Sequence, residues 1–469
     1  MILDYVEKLN NFLWGLPMVI ILLCSGLYLL IKSRFWVFRN FTYIFKSTFG
    51  RLFKDSNSTD ETISPFQAVS TALGSTLGAG NIVGVAAAIQ VGGPGAMFWM
   101  WLAAIVCMTT KMVEVSMAVA TREHDDDGTF IGGPMYYIEK GAKSKTLAKI
   151  FAFFAFFAII GIGALVQSNS ISESLSDIFG IDYWLSGIII VGLVCMVCIG
   201  GIKRIGSFAS KIVPFMTLFY IGGSIVIVIV QHDKILPAFA MIFKGAFSTS
   251  SALGGFAGTT MLMSIRWGLS RGLLSNEAGL GTAPMAHATS HTDHPIRQGM
   301  WGAVEVFISS IVIGTMTALG ILTSGRWVDM DLSGSTLTAM AFSNTRPFGK
   351  YIVSISLILF AFTSAVGWCY YAERCVKYLT GSSKIAKISK FVYMGFCFLG
   401  SIGGLKFAWS FSDTANALMV VPNIIAIIIM TNSFVRILKD YDKYKNNGKK
   451  GSYEWTYENK WEPYFDKKK

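Results

Sequence analysis

Long apolar segments recur along the whole of this 469-residue chain. Because an α-helix rises about 1.5 Å per residue, roughly 20 apolar residues cross the hydrocarbon core of a bilayer. About eleven segments approach that length, at residues 12–31, 65–91, 95–120, 150–175, 184–201, 208–230, 247–287, 298–323, 351–375, 391–405 and 409–434. The chain is 53% hydrophobic and only 14% charged, against roughly 25% charged residues in soluble domains. We therefore predict an all-α polytopic membrane protein with about eleven transmembrane helices.

The first apolar segment has no small-residue cleavage site, and the basic residues Lys32, Arg34 and Arg39 follow it instead of preceding it. We predict a retained transmembrane helix there and not a cleaved secretory signal. The seven cysteines lie almost all within apolar segments, so they predict packing positions rather than a disulfide framework or a redox site.

The basic residues that give the net charge of +12 are distributed unevenly along the chain. Most of the 40 Lys and Arg residues fall in alternate loops, at 32–54, 122–149, 203–211, 291–297, 374–390 and after 434. Basic loops stay on the cytoplasmic side of a membrane, which predicts an outside amino terminus and a cytoplasmic carboxy terminus in the cell membrane. The charge therefore indicates a lipid bilayer as partner and no nucleic acid, with the tail 439–469 as a solvated or headgroup-touching extension.

Two apolar segments are interrupted near mid-depth. Residues 74–81 and 275–282 are rich in glycine and small polar residues, and both contain a Gly-x-Gly-polar pattern. They lie in the second and the seventh segment, five positions apart in the series, so they cross the membrane in opposite directions. Paired interruptions in two inverted halves predict a transport site at the bilayer midplane. The alternative is that the glycines only allow close helix packing, while a dinucleotide site is excluded because no strand precedes residues 78–84.

Backbone groups freed by such a break must line a cavity, because lipid cannot satisfy them. Carbonyl oxygens near Gly74 and Leu77 suit a hard cation such as sodium. The N–H groups that begin the following half-helix suit a carboxylate. Asn81 and Thr282 are predicted to cap the second half-helix of each break.

Polar side chains in other segments face the same depth. Gln167 is predicted to contact substrate, with an interhelical hydrogen bond as the alternative. The hydroxyls of Thr363 and Ser364 are predicted to complete the cation site, unless they bond back to their own helix. Trp368, one turn beyond, either bounds the pocket or packs.

Ionisable residues within apolar segments are candidates for function or for ion pairs. The predicted pairs are Lys111 with Glu114, Glu373 with Arg374, and Arg266 or Arg271 with acids such as Glu305. Glu277 lies in the second break, where it can help neutralise a cation or cap the helix. His287, His291 and His294 have a metal-like spacing but lack the context of a metal motif, so no metal site is predicted.

Six ordered blocks carry a resemblance to a known family: PFQA at 65–68, GAGNI at 78–82, GGPGAMFWMW at 92–101, GGPMYY at 132–137, GLLSNEAG at 272–279, and Trp368 followed by YYAER at 370–374. Over nearly its whole length the chain resembles the alanine or glycine:cation symporters. Members often have threonine at the position of Ala79, which changes one expected contact to the substrate.

This resemblance implies a leucine-transporter-type fold of two inverted five-helix halves. The corresponding domains are an extra amino-terminal helix with a basic loop at 1–63, a first repeat at 64–231, a second repeat at 232–435 and a basic tail at 436–469. It also implies import of alanine, glycine or a related small neutral amino acid with sodium as coupling ion and no cofactor. The predicted substrate-binding residues are Ser75, Thr76, Gly78, Gly80, Gln167, Asn276, Gly279 and Trp368, and the predicted sodium-binding residues are Gly74, Thr76, Leu77, Asn81, Thr363 and Ser364.

Three alternatives stay open at this point. The first is proton coupling through Glu277 or Glu114, and the second is a sodium:glutamine or serine symporter on the same scaffold. The third is an amino-acid-gated channel or a nutrient sensor, although a channel should show a continuous polar stripe instead of isolated breaks. No catalytic constellation is found, so an enzyme is not predicted, and the oligomeric state is not predicted either.

Overall fold

The computed structural model describes residues 8–9, 12–51, 62–126, 128–247, 261–329, 334–403 and 406–446. The first half of the chain forms helices α1 Leu16–Lys32, α2 Trp36–Arg39, α3 Phe41–Thr48, α4 Pro65–Thr76, α5 Val83–Gly92, α6 Ala96–Ala120, α7 Pro134–Lys140, α8 Lys145–Ala158, α9 Gln167–Phe179, α10 Tyr183–Cys198 and α11 Gly201–Val230. The second half forms α12 His232–Phe247, α13 Met261–Asn276, α14 Pro284–His287, α15 Pro295–Val306, α16 Gly314–Ser324, α17 Gly334–Thr345, α18 Gly349–Thr380, α19 Ser383–Ile402, α20 Lys406–Ile429 and α21 Thr431–Asn446.

Shorter elements join these helices. Two π-helical segments, Ile159–Val166 and Phe307–Ile313, connect α8 to α9 and α15 to α16, so each pair is one continuous helix. Three 3₁₀ turns lie at Phe49–Arg51, Ala79–Asn81 and Arg326–Val328. The strands β1 Glu123–His124 and β2 Phe130–Ile131 form an antiparallel hairpin between α6 and α7.

The described helices confirm a multi-pass, all-helical membrane protein. Seven are long and apolar enough to cross a bilayer, namely α6, Lys145–Phe179, α11, Pro295–Ser324, α18, α19 and Ser412–Ile429. The pair α4 and α5 with its linking turn adds an eighth span that is bent by 65°. Each of the eleven predicted segments overlaps a described helix, but residues 248–260 of the seventh lie outside the described part, and the count of eleven stays a prediction.

Burial separates the central helices from those that face lipid. In α6, 89% of the apolar window is buried, and this helix packs against α13 and α15. In α11 only 33% is buried, as expected for a helix with one side in hydrocarbon. α18 packs against α4, α9 and α11. The first break therefore lies between α18 on one side and the α6–α13–α15 group on the other.

The first break begins later than the sequence predicted. α4 starts with a capping box in which Ser64 and Gln67 bond each other's backbone N–H groups, and it stays helical to Thr76 because the Leu77 N–H bonds the Leu73 carbonyl at 2.7 Å. Gly74 is therefore a packing glycine within the helix, where an added Cβ would lie 2.8 Å from Val213.

The second break begins after Asn276, the last residue of α13, and ends at Pro284, the first residue of α14. Glu277, Gly279 and Gly281 have φ of +54°, +87° and +81°, so the chain turns through conformations that favour glycine.

The predicted caps are wrong. No side-chain cap bond is found at the start of α5 or α14, because Asn81 and Thr282 direct their side chains elsewhere.

The tail prediction is wrong for residues 439–446. These residues continue α21, whose Tyr441 is fully buried and shares a 2.9 Å hydrogen bond with the Tyr43 hydroxyl of α3. The Asp442 carboxylate accepts a 2.9 Å bond from Trp36 of α2. An apolar stripe along α21 supplies this packing. The stripe was not recognised in the sequence, because the segment is also rich in lysine. Residues 447–469 lie outside the described part.

Candidate functional site

α18 contacts the carbonyl oxygens at the end of α4. The Thr363 hydroxyl donates to the Gly74 carbonyl at 3.1 Å and the Ser364 hydroxyl donates to the Ser75 carbonyl at 2.7 Å. The Trp368 indole N–H also donates to the Ser75 carbonyl, at 3.2 Å. Ser364 and Trp368 are four residues apart and lie on one face of α18, so both reach the Ser75 carbonyl, whereas the neighbouring Thr363 reaches the Gly74 carbonyl. The Thr363 hydroxyl also lies 3.1 Å from the Phe360 carbonyl of its own helix, so its single hydrogen is shared between the Gly74 and Phe360 carbonyls. The bond back to its own helix is therefore present, and the cation site stays a prediction.

Leu77 turns the chain out of the helix. Its φ of −78° and ψ of 77° form an inverse γ-turn, closed by a 3.0 Å bond from the Gly78 N–H to the Thr76 carbonyl. The Leu77 carbonyl therefore leaves the direction of the helix axis, although its side chain stays buried.

Gln167 covers the middle of the first break. It follows the π-helical segment Ile159–Val166, and its side-chain amide donates to the Ile162 carbonyl at 3.2 Å. Its amide oxygen accepts a 3.1 Å bond from the Ala79 N–H. An added Cβ at Gly78 would lie 3.0 Å from both amide atoms and 3.1 Å from the Ser364 hydroxyl. Gln167 thus occupies a backbone N–H group between Gly78 and Gly80, two of the residues predicted to bind substrate.

Gly80 is the accessible point of the break. It is exposed, whereas Ala79 and Asn81 on either side are buried. An added Cβ at Gly80 would meet no atom within 4 Å. A small ligand can therefore approach the backbone here at membrane depth.

Asn81 belongs to a separate group of contacts. Its side-chain N–H donates to the Thr76 carbonyl at 3.0 Å, and its side-chain oxygen accepts a hydrogen bond from the Ser275 hydroxyl of α13. The Thr317 hydroxyl reaches the Asn81 carbonyl at 3.4 Å. The predicted cation-binding residues therefore fall into two groups, one around Gly74 and Thr363 and the other around Thr76 and Asn81.

Side chains from other helices bond the backbone of the second break. The Gly279 N–H donates to Glu114 at 3.1 Å, and the Gly279 carbonyl accepts from Asn423 at 2.8 Å. An added Cβ at Gly279 would lie 2.5 Å from Leu22 of α1. The Glu277 carboxylate accepts a 2.6 Å bond from Thr282. Gly279 thus has both backbone groups paired in this structure.

Asn276, like Gly279, is bonded by a side chain of α6. Its side-chain oxygen accepts from the Ala278 N–H at 3.0 Å, and its carbonyl accepts from the Lys111 ammonium at 3.1 Å. Lys111 forms its ion pair with Glu305 at 3.3 Å, so the predicted pairing with Glu114 is wrong.

Glu305 joins the first break to this network. It accepts a 2.5 Å bond from the Thr76 hydroxyl and a 3.1 Å contact from His287. The predicted pairing of Glu305 with Arg266 or Arg271 is therefore wrong, and Arg271 instead lines a small cleft with Asp413. The intramembrane charges of Lys111 and Glu305 were visible in the sequence, but the two residues are 194 positions apart, and nothing in a single sequence pairs them.

Ion pairs hold the carboxy-terminal end of α18. The predicted pair of Glu373 and Arg374 is confirmed at 3.2 Å. Arg374 also contacts Asp125 of the β-hairpin loop at 2.7 Å, and Lys377 contacts the same carboxylate at 3.2 Å. Partial burial disfavours the charged form of Asp125, but bonds from the Asp126 N–H and from Arg374 outweigh it, so its pKa lies below the ordinary value.

Several known proteins are similar to this chain in sequence or in fold. Residues 1–454 match the model of the sodium:alanine symporter family. A sodium/alanine symporter from Methanococcus maripaludis is 39% identical over 95% of this chain and 99% of its own length. A putative sodium/proton-dependent alanine carrier from Bacillus subtilis is 37% identical over 95% of this chain and 93% of its own.

A solved sodium-coupled sialic acid symporter shares the fold, with a TM-score of 0.51 at 15% identity, over 84% of this chain and 82% of that one. A manganese transporter from Eremococcus coleocola also scores 0.51, at 12% identity over 82% and 80% of the two chains. The relatives are transporters and not enzymes, and the family match extends over nearly the full length. The chain belongs to the sodium:alanine symporter family.

Proposed function

We propose that this transporter imports small neutral amino acids, alanine and glycine first, together with sodium by alternating access. The observation that carries the proposal is the contact of the Thr363 and Ser364 hydroxyls with the last carbonyls of the broken helix α4. Carbonyl and hydroxyl oxygens are the ligands that a hard monovalent or divalent cation prefers. Family membership supports sodium as that cation and alanine as the substrate.

The proposed sodium site consists of the carbonyls of Gly74 and Leu77 with the Thr363 and Ser364 hydroxyls. In this structure the hydroxyls donate to carbonyls, and a bound cation would instead be coordinated by both sets of oxygens. The ion would thereby fix the distance between α4 and α18. Thr76 and Asn81 are proposed as oxygen ligands of a second cation position beside the first.

The proposed amino-acid site lies around Gly78 and Gly80. The carboxylate approaches the backbone at Gly80, where the structure is open, and Gln167 moves its amide from the Ala79 N–H to the substrate. Ser75, Asn276, Gly279 and Trp368 are proposed to bound the same cavity. A Cβ added at Gly78 would already lie 3.0 Å from the Gln167 amide, and this narrow space supports a substrate side chain no larger than a few atoms.

The proposed architecture is one extra helix followed by two inverted repeats, at 64–231 and 232–435, with a cytoplasmic tail. Element order supports it. A broken helix precedes one long helix in both halves, as α4–α5 before α6 and as α13–α14 before Pro295–Ser324. Rocking of one group of helices against the other then exposes the site to either side.

The direct test is uptake of labelled alanine by the purified protein in liposomes under an imposed sodium, lithium or proton gradient. We expect accumulation that requires the sodium gradient, with unlabelled glycine and serine as graded competitors. The absence of sodium-dependent accumulation of every neutral amino acid would contradict the proposal.

The second candidate function is a proton-coupled carrier, because Glu114 and Glu277 are buried carboxylates at the second break. Uptake under a proton gradient distinguishes it from a sodium-coupled carrier. Accumulation driven by a proton gradient without sodium would favour a proton-coupled carrier. Strong competition by glutamine but not by alanine would favour a glutamine symporter on the same scaffold.

A further inference from the structure

A lysine ammonium lies between the two helix breaks. Lys111 is near the middle of α6, and its side chain and that of Glu305 are both 0% exposed. The ammonium is 3.1 Å from the Asn276 carbonyl, which ends α13 at the second break. It is 3.3 Å from a carboxylate oxygen of Glu305.

The same carboxylate oxygen reaches the first break. It accepts the hydrogen bond of the Thr76 hydroxyl at 2.5 Å. The ammonium thus contacts a carbonyl oxygen of α13 and a carboxylate oxygen of α15, and the hydroxyl of Thr76 in α4 is bonded to that carboxylate oxygen. This is the type of oxygen set that takes a hard cation.

The positive charge opposite Glu305 is that of Lys111 and not that of His287. The Gln298 amide nitrogen lies 2.8 Å from Nδ1 of His287 and can only donate. Nδ1 is then the acceptor, so the hydrogen of the neutral ring is on Nε2, which donates to the other Glu305 oxygen at 3.1 Å. His287 orients the carboxylate without neutralising it.

We infer that Lys111 is a tethered cation, which occupies a position between the two breaks that a sodium ion takes when the lysine is replaced by a neutral residue. A buried carboxylate without a counter-charge is strongly unfavourable. Loss of the ammonium therefore leaves Glu305, Thr76 and the Asn276 carbonyl as a vacant cation site. The inference rests on the proposed function only for its consequence in transport, where wild-type protein would need one sodium fewer per cycle than Lys111→Met.

The first experiment needs no transport. The thermal unfolding midpoint of purified protein in detergent is measured in sodium chloride and in choline chloride at equal ionic strength, so that charge screening is the same. We expect Lys111→Met to be less stable than wild type in choline, and to gain roughly 5 °C more than wild type from sodium. In Lys111→Met/Glu305→Gln the additional gain should be lost, because the carboxylate is absent.

Lys390→Met is a matched control. Its ammonium also contacts a carboxylate and a backbone carbonyl, Glu373 at 3.0 Å and Cys198 at 3.1 Å, but it lies near the carboxy-terminal end of α18. We expect no additional sodium effect there. An equal response of Lys111→Met and wild type to sodium would overturn the inference, as would an additional response that persists in the double variant. If Lys111→Met fails to fold even in saturating sodium while the double variant folds, that result also counts against it.

The transport readout is the dependence of initial alanine uptake on sodium concentration in liposomes. The logarithmic slope should rise by about one in Lys111→Met, because one more sodium binds before transport. If wild type shows no sodium-dependent uptake, the proposed function fails, whereas the unfolding experiment still decides the inference about Lys111.

Discussion

At the scale of single residues, the glycines of the first break have different roles. Gly74 is helical and allows α4 to approach Val213 of α11, whereas Gly78 allows Gln167 and Ser364 to close over the chain. At Gly80 the space beside the α-carbon is open. One sequence pattern thus combines close packing with an accessible backbone, and composition alone does not distinguish these uses.

Gly78→Ala should impair transport more than stability. The new methyl group would lie 3.0 Å from the Gln167 amide and 3.1 Å from the Ser364 hydroxyl, so both polar groups would have to shift. Overpacking of this kind costs about 1 to 3 kcal/mol, and we expect roughly tenfold lower alanine uptake at equal protein amount. Gly192→Ala in α10 is the control, because its methyl group meets no atom within 4 Å. Equal uptake by both variants would show that the Gln167 contact is not needed.

Thr363→Val should raise the sodium concentration that gives half-maximal uptake. The change keeps the shape of the side chain but removes the oxygen that lies 3.1 Å from the Gly74 carbonyl. Loss of one such interaction corresponds to roughly three- to tenfold weaker apparent sodium affinity. The matched control is Thr323→Val, whose hydroxyl bonds only the Leu319 carbonyl of its own helix among the bonds described, at 2.7 Å. An unchanged sodium dependence in a folded Thr363→Val would remove this residue from the proposed site.

At the scale of elements, hydropathy and glycine content located the two breaks to within about two or three residues, which is the usual uncertainty of helix boundaries. The contact between α4 and α18 was also predicted, from hydroxyls at mid-depth. The pairing of Lys111 with Glu305 was not predicted, because several intramembrane charges could pair with one another. A single sequence does not show which of these pairs form. The helices α12 and α17 were missed, because they are short and their apolar content does not stand out between longer spans.

The β-hairpin loop is tied to α18 by a contact that depends on pH. Because the pKa of Asp125 is lowered in the folded protein, its ionised form stabilises the fold above the ordinary value of about 3.9. That contribution is lost as the pH falls through the lower value of the folded state. We expect the unfolding midpoint of wild type to fall on acidification in this range.

Asp125→Asn tests this assignment. It should be less stable than wild type at pH 7 and show a flatter decline in acid, since the ion pairs with Arg374 and Lys377 are absent at every pH. The exposed Asp233→Asn serves as the reference. Identical acid profiles for Asp125→Asn and wild type would place the acid sensitivity elsewhere.

At the scale of the whole molecule, the alternation of basic loops predicts which side each terminus occupies. A tag at the carboxy terminus should be cleaved by added protease in inside-out vesicles and protected in intact spheroplasts, because the basic tail is expected in the cytoplasm. A tag at the amino terminus should behave in the opposite way. Protection of both tags in the same preparation would indicate an even number of crossings and would contradict the proposed arrangement of one helix plus two five-helix repeats.

The contacts of α21 with α2 and α3 tie the end of the helical bundle to its beginning. Tyr441 and Asp442 are hydrogen-bonded to Tyr43 and Trp36, and the Lys445 ammonium lies 2.6 Å from Asn40. A fluorophore attached at the exposed position 443 of α21 would therefore stay close to α3. Energy transfer from that position to a label on α18 would follow conformational changes during turnover in single molecules, without a probe near the ligands.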